Sequence, residues 1–378
     1  MNVRKRPKAG GIVVPNAMTN NALWTWDARM RWWDGGMDMP LGMAVPDAGF
    51  AFPYDTRFFV ENYRRLIDEV AQWDPVPKVI IWGFLRDTHG GKRAALEVAT
   101  HAAEQGVPLV AGVGSGGYGG VYYEGEHRYN AAHFLRRNPN LAVSNTKVLN
   151  GERTQRGMTV DPLNDHVLDW LAEGLGWLMR EFPLAGVNLE IGDFFVPESL
   201  AARTAGVREE GILDEFLQTL VLHYRGLFER LTIPFDAMDI SYANYSKPSV
   251  EKLAANPGFA TALPDSAICQ WTLTSADEES SLDGLLPRRN RGYGHFQSIA
   301  NGSDARCLRR EIAHMVEVAD RHHFEGVSMY GEIPPGHGCA QSNYEAFQAY
   351  CRNPELALRE RPAPRAGSGL APDAEELV

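Results

Sequence analysis

Three observations predict a (β/α)8 TIM barrel. Eight short apolar runs alternate with helix-spaced amphipathic stretches between about residues 21 and 360. No linker or composition break divides that span. Polar and acidic residues gather directly after the apolar runs, where the strand exits of such a barrel share one rim. The pattern centres on Gly186-Val187-Asn188-Leu189-Glu190-Ile191-Gly192-Asp193-Phe194, a strand that ends in acids beside a glycine. A doubly wound open sheet would usually carry a phosphate-binding glycine turn after its first strand. Here the first strand ends in Trp26-Asp27, and the glycine run 114–120 follows the third strand without the Lys-Ser/Thr of a phosphate loop.

Residues 1–20 read as a polar lead-in, 21–360 as one barrel domain with long rim loops, and 361–378 as a disordered tail rich in Pro, Ala, Gly and Glu. The first strand spans Ala22 to Asp27. Phe59, Tyr63, Leu66, Ile67 and Val70 then share a helical face. Lys78 to Phe84 is a continuous apolar run, as in a strand buried on both faces. A helix from Lys92 to Glu104 stops at Gly106, a C-cap residue type. Strand three is Val107 to Val113, followed by a long irregular excursion to Asp161 and a helix over 163–182. After the central strand, Ile212 to Leu231 carries the strongest helical periodicity. Strands five and six are Ala237 to Tyr242 and Ser266 to Leu273, with a short helix over 249–255 between them. Strand seven is His295 to Ala300, and Ser303 or Asp304 caps the helix that carries Leu308, Ile312 and Met315. Strand eight is Gly326 to Tyr330, and a last helix starts near Ser342.

The chain has 378 residues and a formal net charge of −11, which opposes a nucleic-acid surface. No stretch approaches the ~20 apolar residues of a membrane helix, and the apolar run after the basic N-terminus is too short for a signal peptide. A cytoplasmic protein without nucleic-acid or membrane partners is expected. The cysteines at 269, 307, 339 and 351 have no close metal-ligand spacing and read as free thiols. Neither a metal nor another cofactor is expected.

Read in order, the strand exits offer Trp26 and Asp27; Arg86, Asp87 and His89; Tyr118, His127 and Arg128; Glu190 and Asp193; Asn244; Trp271; His295; and Glu332. This polar, aromatic-rich set suits a small carbohydrate, whose hydroxyls need planar hydrogen-bonding groups and whose C–H faces pack on rings. Glu190 and Glu332 follow strands four and eight, across the barrel from one another. Cleaving a glycosidic bond takes an acid at the leaving oxygen and a second carboxylate as nucleophile or water activator. Glu190 is the expected acid and Glu332 the second carboxylate, with Asp193 as its alternative. Asp27, Trp26, Arg86, Asp87, His89, Tyr118, His127, Arg128, Asn244, Trp271 and His295 are expected to bind substrate, Trp271 and Tyr118 by stacking. The arginines allow an acidic sugar, since guanidinium grips carboxylates bidentately.

The run Met329-Tyr330-Gly331-Glu332-Ile333-Pro334, followed by Asn343-Tyr344-Glu345-Ala346-Phe347 and Asn353-Pro354-Glu355, resembles the end of the barrel in bacterial glycoside hydrolases of the α-glucuronidase and hexosaminidase-like superfamily. The resemblance covers about 30 residues. It implies an exo-acting glycosidase with its acid after strand four, which falls on Glu190. Many retaining barrel glycosidases carry an adjacent Asn-Glu pair there. In this chain Leu189 separates Asn188 from Glu190, and strand alternation points those two the same way. Two other readings stay open on the same frame: a non-catalytic sugar-binding barrel, and a metal-dependent sugar isomerase or aldolase.

Overall fold

The computed structural model describes residues 18–26, 58–115, 119–149, 152–190, 195–197, 209–241, 263–273, 289–294, 308–331 and 338–360. In chain order the elements are β1 (Ala22–Trp26), α1 (Phe59–Val70), β2 (Lys78–Trp82), α2 (Gly91–Gln105), β3 (Leu109–Gly114), α3 (Ala131–Arg137), β4 (Ala142–Leu149), β5 (Glu152–Val160), α4 (Asp165–Glu181), β6 (Gly186–Glu190) and β7 (Phe195–Pro197). They continue with α5 (Glu209–Arg230), β8 (Met238–Ser241), β9 (Ile268–Thr272), β10 (Arg289–Gly294), α6 (Arg309–Arg321), β11 (Gly326–Tyr330), α7 (Gly338–Arg352) and α8 (Glu355–Arg359). Strands β1, β2, β3, β6, β8, β9, β10 and β11 close into one parallel barrel, β11 pairing back onto β1 with Leu23 opposite Met329. The fold is the expected (β/α)8 barrel. No helix among the described residues is long and apolar enough to cross a membrane.

Alternation along each strand sends successive side chains to opposite faces. The outward set, including Leu23, Val79, Ile81, Ala111, Val113, Val187, Leu189 and Met329, packs against the helices in one large core. The inward set forms a second, separate cluster of Ala22, Trp24, Trp26, Ile80, Trp82, Val110, Tyr293 and Tyr330. Gly112 is part of this design. A Cβ there would lie 2.5 Å from the Trp82 ring, so glycine on β3 makes room for tryptophan on β2.

The other side of the interior is polar. Asp239 on β8 accepts from Arg291 Nη2 at 2.9 Å and lies 3.5 Å from Lys78 Nζ, while Arg291 Nε donates to Gln270 Oε1 at 3.0 Å. Arg291 is fully buried and Asp239 is 2% exposed. Burial pushes the Lys78 ammonium below its ordinary pKa, against the pull of the Asp239 carboxylate.

Two expectations are corrected here. Strand seven is Arg289–Gly294, not 295–300, which lie outside the described residues. Apolarity misplaced it because two of its residues are arginines, Arg291 held by Asp239 and Arg289 by Glu325 at 2.9 Å. The excursion after strand three is not irregular. It contains α3 and the antiparallel pair β4–β5, which with β7 makes a three-stranded sheet. The dipeptide Asn150-Gly151 between two β-prone runs was the hairpin signal for that pair.

The helices fall where the periodicity placed them, with α2 ending at Gly106 in a left-handed cap. α6 differs in its start. It begins at Arg309, after Ser303 and Asp304, and the side chain of Asn343 accepts from the Leu308 amide at 2.8 Å. The helix expected at 249–255 and the tail lie outside the described residues. Cys269 and Cys351 are buried free thiols.

Removing one partner of a buried ion pair leaves an uncompensated charge, at a cost of about 3–5 kcal/mol. Asp239→Asn is therefore expected to lower the denaturant midpoint by that equivalent or to prevent folding. A loss below about 1 kcal/mol would show that the floor of the barrel tolerates its cations unpaired.

Candidate active site

Glu190 is the last residue of β6 and is 6% exposed. Two residues earlier, Asn188 Oδ1 accepts from Trp82 Nε1 at 3.1 Å inside the barrel. Alternation puts Glu190 on that same inward side, one layer nearer the strand exits. Its carbonyl is gripped by Ser115, whose backbone N–H and hydroxyl donate to it at 2.8 and 3.2 Å.

Along β1, β2, β10 and β11 the interior carries a wall of rings. Trp24 stacks on Trp82 with centroids 5.5 Å apart and meets Tyr330 at 4.7 Å. Trp26 lies 5.8 Å from Trp82 and edge-on to Tyr123 at 5.9 Å. Tyr330 ends β11, the strand across the barrel from β6, and Glu332 follows two residues later in sequence.

The remaining expected residues divide sharply. Trp26 belongs to this wall. Arg86 is 3% exposed beside it, with its guanidinium 4.2 Å over the Tyr123 ring and paired with Glu124 at 2.7 Å. Trp271, expected to stack on substrate, faces the helical layer and donates to Asn290 Oδ1 at 2.9 Å. His89 is a structural residue. Its ring stacks on Phe59 at 3.8 Å, and its Nε2 lies 3.1 Å from both the Arg86 amide and the Gly83 carbonyl. Asp87 accepts from the Tyr122 hydroxyl at 2.5 Å and from the Glu126 amide at 3.1 Å, fixing the loop 119–130.

That loop turns its basic groups toward α4. His127 packs between Tyr122 and Trp177, and Arg128 pairs with Glu173 at 3.1 Å. Burial, then the nearby Lys92 and Arg128 charges, hold His127 below its ordinary pKa. Asp27, Tyr118, Asp193, Asn244, His295 and Glu332 lie outside the described residues. What sequence reading missed was the ring wall itself. Trp24 and Tyr293 sit within strands and Trp82 closes β2 level with Trp26, and only the alternation of each strand would have assigned them inward.

No family model matches the sequence, and no curated protein matches it. Among solved structures the chain is similar to a β-N-acetylhexosaminidase from Bacteroides fragilis, with a TM-score of 0.51 at 11% identity over 88% of this chain and 65% of that one. The chain thus spans just under two thirds of that protein. An α-amylase from Geobacillus thermoleovorans is similar at a TM-score of 0.49 and 8% identity, covering 88% of this chain and 78% of that one. The old yellow enzyme from Trypanosoma cruzi follows at a TM-score of 0.43 and 10% identity, covering 81% and 84%. At 11% identity the likeness to the hexosaminidase is one of fold alone.

Two buried histidines give the fold an acid sensitivity. His89 is depressed to about 4 by burial, and His223, whose Nδ1 lies 2.7 Å from the Pro162 carbonyl, is also depressed to about 4 by burial. Between pH 6.5 and 4 the unfolded chain binds protons that the folded chain refuses, so stability is present above 6.5 and lost as pH falls through this window. Each contributes about 3 kcal/mol across it. Unfolding midpoints measured from pH 7 to 4 are expected to fall steeply, and His89→Gln to flatten the slope by about one proton. An unchanged slope in that variant would mean that His89 titrates normally in the folded state.

Proposed function

We propose that the protein is a glycoside hydrolase working through two carboxylates, with Glu190 as the general acid. The observation that carries this reading is the pairing of a buried carboxylate at a strand exit with a wall of tryptophan and tyrosine rings inside the same barrel. Rings of this kind offer flat apolar surfaces to the C–H faces of a sugar. Burial at the barrel lip keeps bulk water from the acid and leaves the electrostatics of the site in the protein's hands. Asn188, two residues before Glu190 on the inward face, is fully buried and accepts from Trp82 Nε1, which fixes that ring in the wall.

In the reaction Glu190 protonates the glycosidic oxygen as the bond to the anomeric carbon breaks. The positive charge that develops on the sugar is met by the second carboxylate, either directly as nucleophile or through a water that it deprotonates. Glu332 is the first choice for that role, because β11 stands across the barrel from β6, and Asp193 is the second. A carboxyl separation of about 5–5.5 Å would give retention, and about 6.5–9.5 Å inversion. Asp27, Tyr118, Asn244 and His295 remain candidates for holding hydroxyls.

Arg86 and Arg128 face Glu124 and Glu173, so an acidic sugar would compete with those carboxylates for the two guanidinium groups. Acidic and neutral sugars both belong in the substrate panel.

General acid catalysis contributes roughly 10²–10⁴-fold. Glu190→Gln is expected to lower kcat/KM on a panel of aryl glycosides by that factor while leaving the unfolding midpoint within experimental scatter. Wild-type rates in the variant would remove Glu190 from the mechanism.

A further inference from the structure

A cleft of about 690 Å³ opens beside the barrel mouth, between the loop after β3, helix α3 and the start and end of the β4–β5 pair. Clefts of roughly 300–1,000 Å³ are the size that takes small-molecule ligands. Its lining includes Tyr123, Glu124, Ala132, Leu135, Arg136 and Thr159.

The partition between this cleft and the barrel interior is itself informative. Tyr123 lines the cleft and also packs against the inward ring cluster, edge-on to Trp26. Glu124 lines the cleft and holds Arg86, whose guanidinium covers the Tyr123 ring. One aromatic ring and one ion pair therefore border both spaces.

The cleft is also preformed. The side chain of Asn130 donates to the carbonyls of Tyr122 at 3.0 Å and Tyr123 at 3.2 Å, and accepts from the His133 amide at 3.0 Å. This locks the loop to the start of α3, so little ordering cost remains for a ligand to meet. Arg136, which lines the cleft, and His133 both bind Glu126. The lining thus combines a ring and an aliphatic side chain with carboxylates and a guanidinium. That mixture matches a sugar ring, with its apolar face and its rim of hydroxyls, better than a purely apolar or a strongly charged ligand.

We propose that this cleft is a second sugar subsite, holding the saccharide unit next to the one at the barrel mouth, so that the substrate is an oligosaccharide. The proposal rests on the glycosidase reading for what happens to the chain, and on the cleft alone for binding it. The filling variant is Ala132→Trp, since Ala132 is an exposed position on α3 away from Glu190 and the ring wall.

The experiment compares 4-nitrophenyl monosaccharides with di-, tri- and tetrasaccharides of glucose, galactose, xylose and N-acetylglucosamine. Wild-type kcat/KM on the favoured sugar is expected to rise at least tenfold from the monosaccharide to the disaccharide. Ala132→Trp is expected to abolish that rise and leave the monosaccharide rate unchanged. Calorimetric titration of the same saccharides into Glu190→Gln, with and without Ala132→Trp, reads binding apart from turnover. Length-dependent affinity lost on filling the cleft supports the subsite even if Glu190 proves not to be the acid. Affinity independent of chain length, absent for all the saccharides, or insensitive to Ala132→Trp overturns it.

Discussion

The carboxylate of Asp239 holds two cations inside a closed barrel, and the rest of the architecture depends on that. Without it the half-buried Lys78 and the fully buried Arg291 would bring two like charges together with no carboxylate between them. With it, β10 enters the sheet as an interior strand in spite of its arginines. β10 then pairs with β9 on one side and β11 on the other, and β11 closes on β1. Closure brings the end of β11 and the end of β6 to the rim of one shared interior. An ionic floor on one side and an aromatic wall on the other divide that interior between anchoring and recognition.

Much of this fold was legible in the sequence because seven of the eight barrel strands announce themselves by apolar outward residues such as Val79, Ile81, Val187 and Leu189. The exception is instructive. Residues 289–294 read Arg-Asn-Arg-Gly-Tyr-Gly, and a search for apolarity passes over them to the next run. They pair with β9 and β11, and the charge of Arg291 is met by a carboxylate fifty-two positions earlier in the chain, which no local pattern contains. The β4–β5 pair was missed for the opposite reason: its turn signal is local, at Asn150-Gly151, but its strands are polar.

The site was legible in part. Position at a strand exit placed Glu190 and Trp26 at the rim, and the structure has both as the last residues of barrel strands. The same criterion also gathered Asp87, His89, His127, Arg128 and Trp271, whose contacts tie them to loops, to α4 or to the helical layer. An exit position says that a residue is near the rim and leaves open which way it turns. The motif that suggested kinship tells a similar story. Asn343 caps α6, Tyr344 packs on Trp73 at 5.8 Å, Asn353 accepts from the Glu355 amide, and Phe347 is 1% exposed. Gly331 is small because a Cβ there would lie 2.4 Å from the Tyr344 hydroxyl. These residues dock the last helices on the barrel, in keeping with a likeness that extends to fold.

The central claim is that Glu190 meets a sugar inside the ring-walled mouth of this barrel. A crystal structure of Glu190→Gln soaked with its best-bound oligosaccharide tests it most directly. The account predicts one sugar ring lying against Trp26 and Tyr330, with its glycosidic oxygen within about 2.6–3.2 Å of the residue 190 side chain. A saccharide bound elsewhere on the surface, or a residue 190 side chain turned out of the barrel toward the helices, would contradict it.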